Sequence, residues 1–243
     1  MFVPIYDDNP LRRIGLPVVT WGLIILNCLL FFAQAGTMNQ AAIASFAIVP
    51  KELLGAGIFG GPAGGPLDAI AVPERYTLLT YMFLHGDIFH LAGNMLFLWV
   101  FGDNIEDALG HVRFLVFYLL CGILAGLAHA IMAPDSAIPL IGASGAVAGV
   151  IAAYLLLYPR VLVWVLVMRF IPIRITAAFA LGLWILTQVV MALLPYFVPD
   201  IGIGPVAWWA HIGGVIAGLV LIVLMRPAGV MLLERRPSGN VVR

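Results

Sequence analysis

Residues Ile138 to Tyr158 read IPLIGASGAVAGVIAAYLLLY, a run apolar enough to enter a bilayer that places one hydroxyl, Ser144, among glycines and alanines. Pro139 and Gly142 disfavour a helix before about Ala143. That leaves Ser144 to Tyr158, about fifteen residues or roughly 22 Å of helix, some ~8 Å short of the hydrocarbon core of a bilayer. The helix is therefore expected to start below the membrane surface, reached by irregular backbone. Such backbone is tolerated at depth only where protein buries it or water reaches it. A water-filled pocket with Ser144 at its wall is the expectation.

The rest of the chain supplies a membrane around that pocket. Of 243 residues, 63% are hydrophobic and 10% charged, with a mean hydropathy of +1.09, against about a quarter charged in a soluble domain. Apolar runs at Leu16–Ala35, Ile88–Phe101, Phe114–Met132, Ile138–Tyr158, Ile175–Leu194 and Ala207–Met225 give six expected spans. The leading MFVPIYDDNPLRRIG holds two aspartates and the first run lacks a small-residue cleavage site, so it reads as a retained anchor. Six spans put both termini on one side. Arg12, Arg13, Arg113, Arg160, Arg169, Arg174, Arg226, Arg235, Arg236 and Arg243 fall on that side and only Lys51 and Arg75 on the other. Both termini are therefore expected to be cytoplasmic.

The formal net charge is zero, which argues against a nucleic-acid partner or a polybasic lipid switch. Cys28 and Cys121 fall in mid-span without metal-ligand spacing to a histidine, so they read as small buried residues and no metal is expected. Gly36 to Asp87 forms a long connection whose LLGAGIFGGPAGGPLDAIAVPERY is too rich in Gly and Pro for a long helix and apolar enough for the outer membrane surface. PRVLVWVLVMRFIPIR, broken by Pro159 and Pro172, reads as a cytoplasmic connector against the membrane. No repeat or second domain is visible. The expected fold is all-α: one six-helix membrane bundle over residues 1–243, with its core at about 15–226 and short cytoplasmic tails.

Polar residues within apolar spans are costly and face a bundle interior or a water cavity. Spans two, four and six run in one direction. His90 and Asn94 are four apart and share a helix face in the outer turns of span two. His211 lies about one turn below Trp208 and Trp209, which suit an aromatic belt, and Ser144 heads span four. Gly145-xxx-Gly149 and Ala148-xxx-Ala152 on span four, with Gly214-xxx-Gly218 on the His211 face of span six, strip away bulk so that backbones approach closely. Such contact would bring Ser144 to His211, with the imidazole as general base for the hydroxyl. The free amide of Ser144 at a helix start, with His90 and Asn94 as side-chain donors, would receive an oxyanion. Asp87 lies at the rim and Glu106 at the far end of span two, which leaves a dyad and not a triad.

Each feature has an ordinary explanation when taken alone. A serine in a membrane helix usually packs or bonds to the preceding turn, a histidine beside tryptophans suits an interface, and Gly-xxx-Gly is frequent in membrane helices. A transporter or channel with a polar layer is the alternative, but no inverted repeat and no ionisable path through the inner half of the membrane is visible. GASGA at 142–146 is not the G-x-S-x-G elbow of soluble hydrolases. The coincidence of four polar groups at one depth is what favours chemistry.

FLHGDIFHLAGNMLFLWVFG, GASGAVAG and AHIGG, in this order on spans two, four and six, resemble the rhomboid intramembrane serine proteases. The likeness runs from the first span through Met225. It implies Ser144 as nucleophile, His211 as base, and His90 and Asn94 as oxyanion donors. It further implies that Gly102, Glu106 and Gly110 form an inner-end structural motif and that Arg75 belongs to a packing element of the outer loop. No cofactor is implied. The implied partners are the lipid bilayer and a transmembrane protein substrate, cut at a small residue followed by a weakly helical stretch and entering near span five. The implied location is a bacterial cytoplasmic membrane, with the site opening outward. Ala148 stands where some members carry a tyrosine stacked on the histidine, and Glu74-Arg75 stands where some carry W-R. Inactive relatives usually lose the serine or the histidine, and both are present here. His85, His111 and His129 read as structural.

Overall fold

The structure is a computed structural model and describes residues 2–37, 43–55, 69–70, 72–167, 170–198 and 207–234. In chain order it has β1 (Phe2–Asp7), α1 (Val18–Thr37), α2 (Pro50–Gly55), α3 (Glu74–Thr80) followed by a 3-10 turn at Tyr81–Phe83, and α4 (Ile88–Leu109). Then come α5 (His111–Met132), α6 (Ser144–Leu157), β2 (Leu162–Val167), β3 (Ile171–Thr176), α7 (Ala177–Phe197) and α8 (Trp208–Met225).

A helix occupies each of the six apolar runs, and α5, α7 and α8 are long and apolar enough to cross a membrane. The fourth run contains the short helix expected from Pro139 and Gly142: α6 begins at Ser144 and lasts 14 residues. Its side chains are buried at every position from Gly145 to Tyr154, so it is the central post of the bundle. A post of Gly, Ala and Val lets its neighbours come close. α4 extends past the expected Phe101 to Leu109, and Glu106 and Asp107 in its last turns are buried.

Those two carboxylates hold the start of α1 and the chain just before it. Glu106 is fully buried and accepts hydrogen bonds from the Val19 N–H at 2.9 Å, the Thr20 N–H at 2.7 Å and the Thr20 hydroxyl at 2.7 Å, with His111 Nδ1 at 2.5 Å. It thereby satisfies free amides at the positive end of α1. Asp107 Oδ1 accepts from the amides of Arg12, Arg13 and Ile14 at 3.0, 2.6 and 2.9 Å. Gly102 sits where a Cβ would stand 3.2 Å from Thr20 Cγ2, and Gly110 turns the chain into α5 at φ +79°. Gly102, Glu106 and Gly110, expected to form a structural motif, lie in a clamp between α4 and the start of α1.

The all-α expectation is corrected by a three-stranded antiparallel sheet in the order β1-β2-β3. The segment read as a membrane-lying connector is a hairpin, with Leu162 opposite Thr176 and Val167 opposite Ile171, and the chain's start pairs with it from Phe2 opposite Val167 to Asp7 opposite Val163. LVWVLV is rich in β-branched residues and alternates inward at Val163 and Val165. Pro172, read as a break in the segment, lies in β3 at the edge of the sheet, where proline is tolerated. A network ties the sheet to the bundle: the Tyr154 hydroxyl donates to Asp7, and the Asn104 side chain donates to the same carboxylate at 3.3 Å.

In the long connection from Gly36 to Asp87, residues 38–42, 56–68 and 71 lie outside the described residues, as do Arg169, Arg235, Arg236 and Arg243. Arg12, Arg13, Arg113, Arg174 and Arg226 gather at the end of the bundle where α4 finishes and α5 starts. Arg13 donates to the Gly229 carbonyl, Arg174 pairs with Asp8, and Arg113 and Arg226 line one cavity.

Candidate active site

At the opposite end, three helix N-termini converge. Ser144 is the first residue of α6, His211 lies in the first turn of α8, and His90 lies in the first turn of α4. Asp87 caps α4 by accepting from the Phe89 and His90 amides at 2.8 and 2.9 Å, and the His90 N–H holds its carboxyl below the ordinary carboxylate range.

His211 Nε2 stands 2.9 Å from Ser144 Oγ. The glycines explain the distance. A Cβ on Gly214 would stand 2.0 Å from the Gly145 carbonyl oxygen, and one on Gly218 would stand 2.3 Å from that of Gly149. Gly145 and Gly149 face α5 in turn, where Cβ atoms would meet Ala125 Cβ at 2.6 Å and Cys121 Sγ at 2.5 Å. α8 therefore lies backbone to backbone on α6, one turn beyond the paired side chains.

Gly142, which the sequence reading used only to start the helix, has a part of its own. Its φ of +120° is open to glycine alone, and a Cβ there would stand 2.6 Å from His90 Nε2 and 3.7 Å from Asn94 Nδ2. The Tyr81 carbonyl accepts its N–H at 2.9 Å. His90 and Asn94 thus point toward the backbone just ahead of Ser144. Asn94 Nδ2 is buried and has no hydrogen-bond partner among the described residues. A donor left free beside a paired hydroxyl and imidazole is suited to receiving an oxygen that becomes negative.

The sequence reading missed Gln188. It is buried on α7, and its Oε1 lies 2.8 Å from His211 Nδ1. Trp184, one turn earlier, and Trp208 place their rings 6.0 and 6.1 Å from the imidazole. Trp184 also packs against the cluster of Ala148, Ala152 and Val215. At Ala148, where a tyrosine would stack in some members, small residues stand instead with an indole laid against them from α7. The available signal was a lone amide within an apolar span.

The other residues fall further off. Arg75 is exposed, with its guanidinium over the Tyr76 ring at 4.8 Å, whereas its neighbour Glu74 is buried. His85 is buried, its ring 5.1 Å from that of His90, and burial with that neighbour pushes its pKa down to about 4. Gln34 holds its backbone by donating to the His85 carbonyl at 2.7 Å. His111 joins the Glu106 clamp. His129 Nδ1 is buried without a hydrogen-bond partner among the described residues. Cys28 and Cys121 are free thiols.

The chain as a whole is similar to known proteins. The family model described as Rhomboid domain matches residues 73–228, which takes in every residue of the site. The chain is 33% identical over 144 residues to rhomboid protease GluP of Bacillus subtilis (strain 168), covering 58% of this chain and 25% of that protein. It is 30% identical over 180 residues to the mitochondrial RHOMBOID-like protein 6 of Arabidopsis thaliana, covering 70% and 53%. It is 29% identical over 163 residues to inactive rhomboid protein 1 of Drosophila melanogaster, covering 67% and 10%. The matched part is thus about half or less of each relative's own length. With its three long apolar helices and this match, the chain is an integral membrane protein that belongs to the rhomboid family.

Proposed function

We propose that this protein is an intramembrane serine endopeptidase that cuts a transmembrane segment of another membrane protein by a Ser144 and His211 dyad. The observation that carries the reading is the 2.9 Å contact between Ser144 Oγ and His211 Nε2. Ser144 Oγ attacks the scissile carbonyl carbon while its proton passes to His211 Nε2. The carbonyl oxygen, now negative, takes hydrogen bonds from His90, Asn94 and the Ser144 amide. His211 then protonates the leaving amine, and water, deprotonated by the same imidazole, releases the acyl group from Ser144. The reaction needs no cofactor or metal.

In this reading all six apolar helices cross the bilayer, residues 1–243 form one domain, and both termini are cytoplasmic. The clustering of Arg12, Arg13, Arg113, Arg174 and Arg226 away from Ser144 supports that orientation. The membrane is a bacterial cytoplasmic membrane, and the substrate reaches the site from its outer half.

A second reading, a rhomboid-like protein that binds membrane clients without cutting them, draws support from the similarity to inactive rhomboid protein 1. Labelling with a fluorophosphonate separates the two. Detergent-purified wild type is expected to label, and Ser144→Ala and His211→Ala are expected not to. A folded wild type that stays unlabelled favours the client-binding reading.

A further inference from the structure

We propose that Gln188 is the positioning residue of this site: by accepting a hydrogen bond from His211 Nδ1, it fixes the tautomer and ring orientation that base catalysis requires. The proposal rests on the protease reading.

The hydrogen-bond pattern determines which atom donates. Gln188 Nε2 donates to the Trp184 carbonyl at 3.0 Å and to Thr187 Oγ1 at 3.1 Å. With its NH2 group committed along its own helix, the amide turns its oxygen to the imidazole, 2.8 Å from Nδ1. An oxygen only accepts, so Nδ1 carries the proton. In a neutral imidazole the other nitrogen is then unprotonated. That nitrogen, Nε2, is the one 2.9 Å from Ser144 Oγ, with its lone pair available for the hydroxyl proton. The amide therefore selects the one tautomer in which His211 works as a base.

The placement of Gln188 also argues for a role. The buried side chains of α7 are Ala177, Ala180, Leu181, Gln188 and Ala192, so Gln188 is the single polar member of that face. An amide in an apolar span is costly unless it is used. The titratable groups acting on His211 are His90 from α4 and His129 from α5. Ser144 comes from α6, and α7 presents Gln188 with the Trp184 ring. A neutral amide thus stands where a serine-protease triad has a carboxylate. It orients the ring and adds no negative charge to stabilise the imidazolium.

That difference gives a test. The rate of fluorophosphonate labelling is measured against pH for wild type, Gln188→Met and Gln188→Glu, each shown to be monodisperse with thermal unfolding within a few degrees of wild type. Methionine keeps the volume in an apolar setting but accepts no useful hydrogen bond. It is expected to slow labelling by about 10- to 100-fold at every pH, less than the ~10⁴ lost when a triad's carboxylate is replaced. Glutamate keeps the acceptor and adds a charge that favours the imidazolium. It is expected to label faster than the methionine variant, with the acid limb of its profile moved up by about one pH unit. A methionine variant that labels at the wild-type rate overturns the proposal, as does a glutamate variant whose acid limb stays in place. A folded wild type that does not label at all overturns the protease reading instead.

Discussion

Gly214 and Gly145 touch through their backbones: a Cβ on Gly214 would stand 2.0 Å from the Gly145 carbonyl oxygen, with the carbonyl carbon at 2.9 Å. No flexible side chain is there to yield, so any side chain at 214 must move α8 as a body. His211 rides on the same face one turn earlier, and its reach to Ser144 is set by that contact.

Gly214→Ala is therefore expected to cut labelling of Ser144 by about 100-fold, the scale associated with a misplacement of about 1 Å, and to cost about 1–3 kcal/mol in overpacking. Gly182→Ala on α7, where a Cβ meets nothing within 4 Å, is the control and should leave both quantities nearly unchanged. Labelling rate and thermal unfolding in detergent measure the pair.

The oxyanion side makes a separate prediction. Asn94→Ala removes a buried donor that has no other partner among the described residues, so labelling should slow by about 10²- to 10³-fold with little loss of stability. Gly142→Ala leaves every reacting group in place. Its Cβ would nevertheless meet His90 Nε2 at 2.6 Å on a backbone at φ +120°. It is expected to slow labelling as much as His90→Ala does. A Gly142→Ala variant that labels at the wild-type rate would count against His90 as an oxyanion donor.

Much of this site was legible because its signals are local. Pro139 and Gly142 mark where α6 must start, and the four-residue spacings of His90 with Asn94 and of the glycine pairs define helix faces without a fold. Gln188 was not legible because its meaning depends on which way α7 is rotated, and an apolar helix with one amide carries no phase for that. The sheet was hidden for another reason. β1 and the hairpin are separated by more than 150 residues in sequence, and Pro172, read as a break, lies in an edge strand. Of the loop pair Glu74-Arg75, Glu74 is buried, while Arg75 is exposed over Tyr76.

Glu106 tests the clamp between α4 and α1. Its fully buried carboxylate takes three hydrogen bonds from Val19 and Thr20 and sits beside His111. Glu106→Gln keeps the shape but turns an NH2 group toward donors, leaving at least one buried N–H or O–H unsatisfied. A loss of about 3 kcal/mol or more is expected, read as a large fall in unfolding temperature. Labelling measured well below that temperature should change little, because Ser144 heads the helix that ends on the clamp's side of the bundle.

The sheet's tie to the bundle is open to a double-mutant cycle. Tyr154, fully buried on α6, donates to Asp7 at the end of β1 and receives a hydrogen bond from Asn9 at 3.3 Å. Tyr154→Phe leaves the Asp7 carboxylate short of a donor, and Asp7→Asn weakens the acceptor while leaving the phenol buried. Each is expected to lower stability by about 1–3 kcal/mol. If β1 is held to α6 through this bond, the double variant loses less than the sum of the two, with a coupling of about 0.5–3 kcal/mol. Strict additivity would mean that the start of the chain is secured without this bond, by the strand pairing with β2 and the contacts of Asn104 and Asp107. In that case Tyr154 would contribute through its ring, which packs 4.9 Å from Phe101 and 5.3 Å from Tyr158.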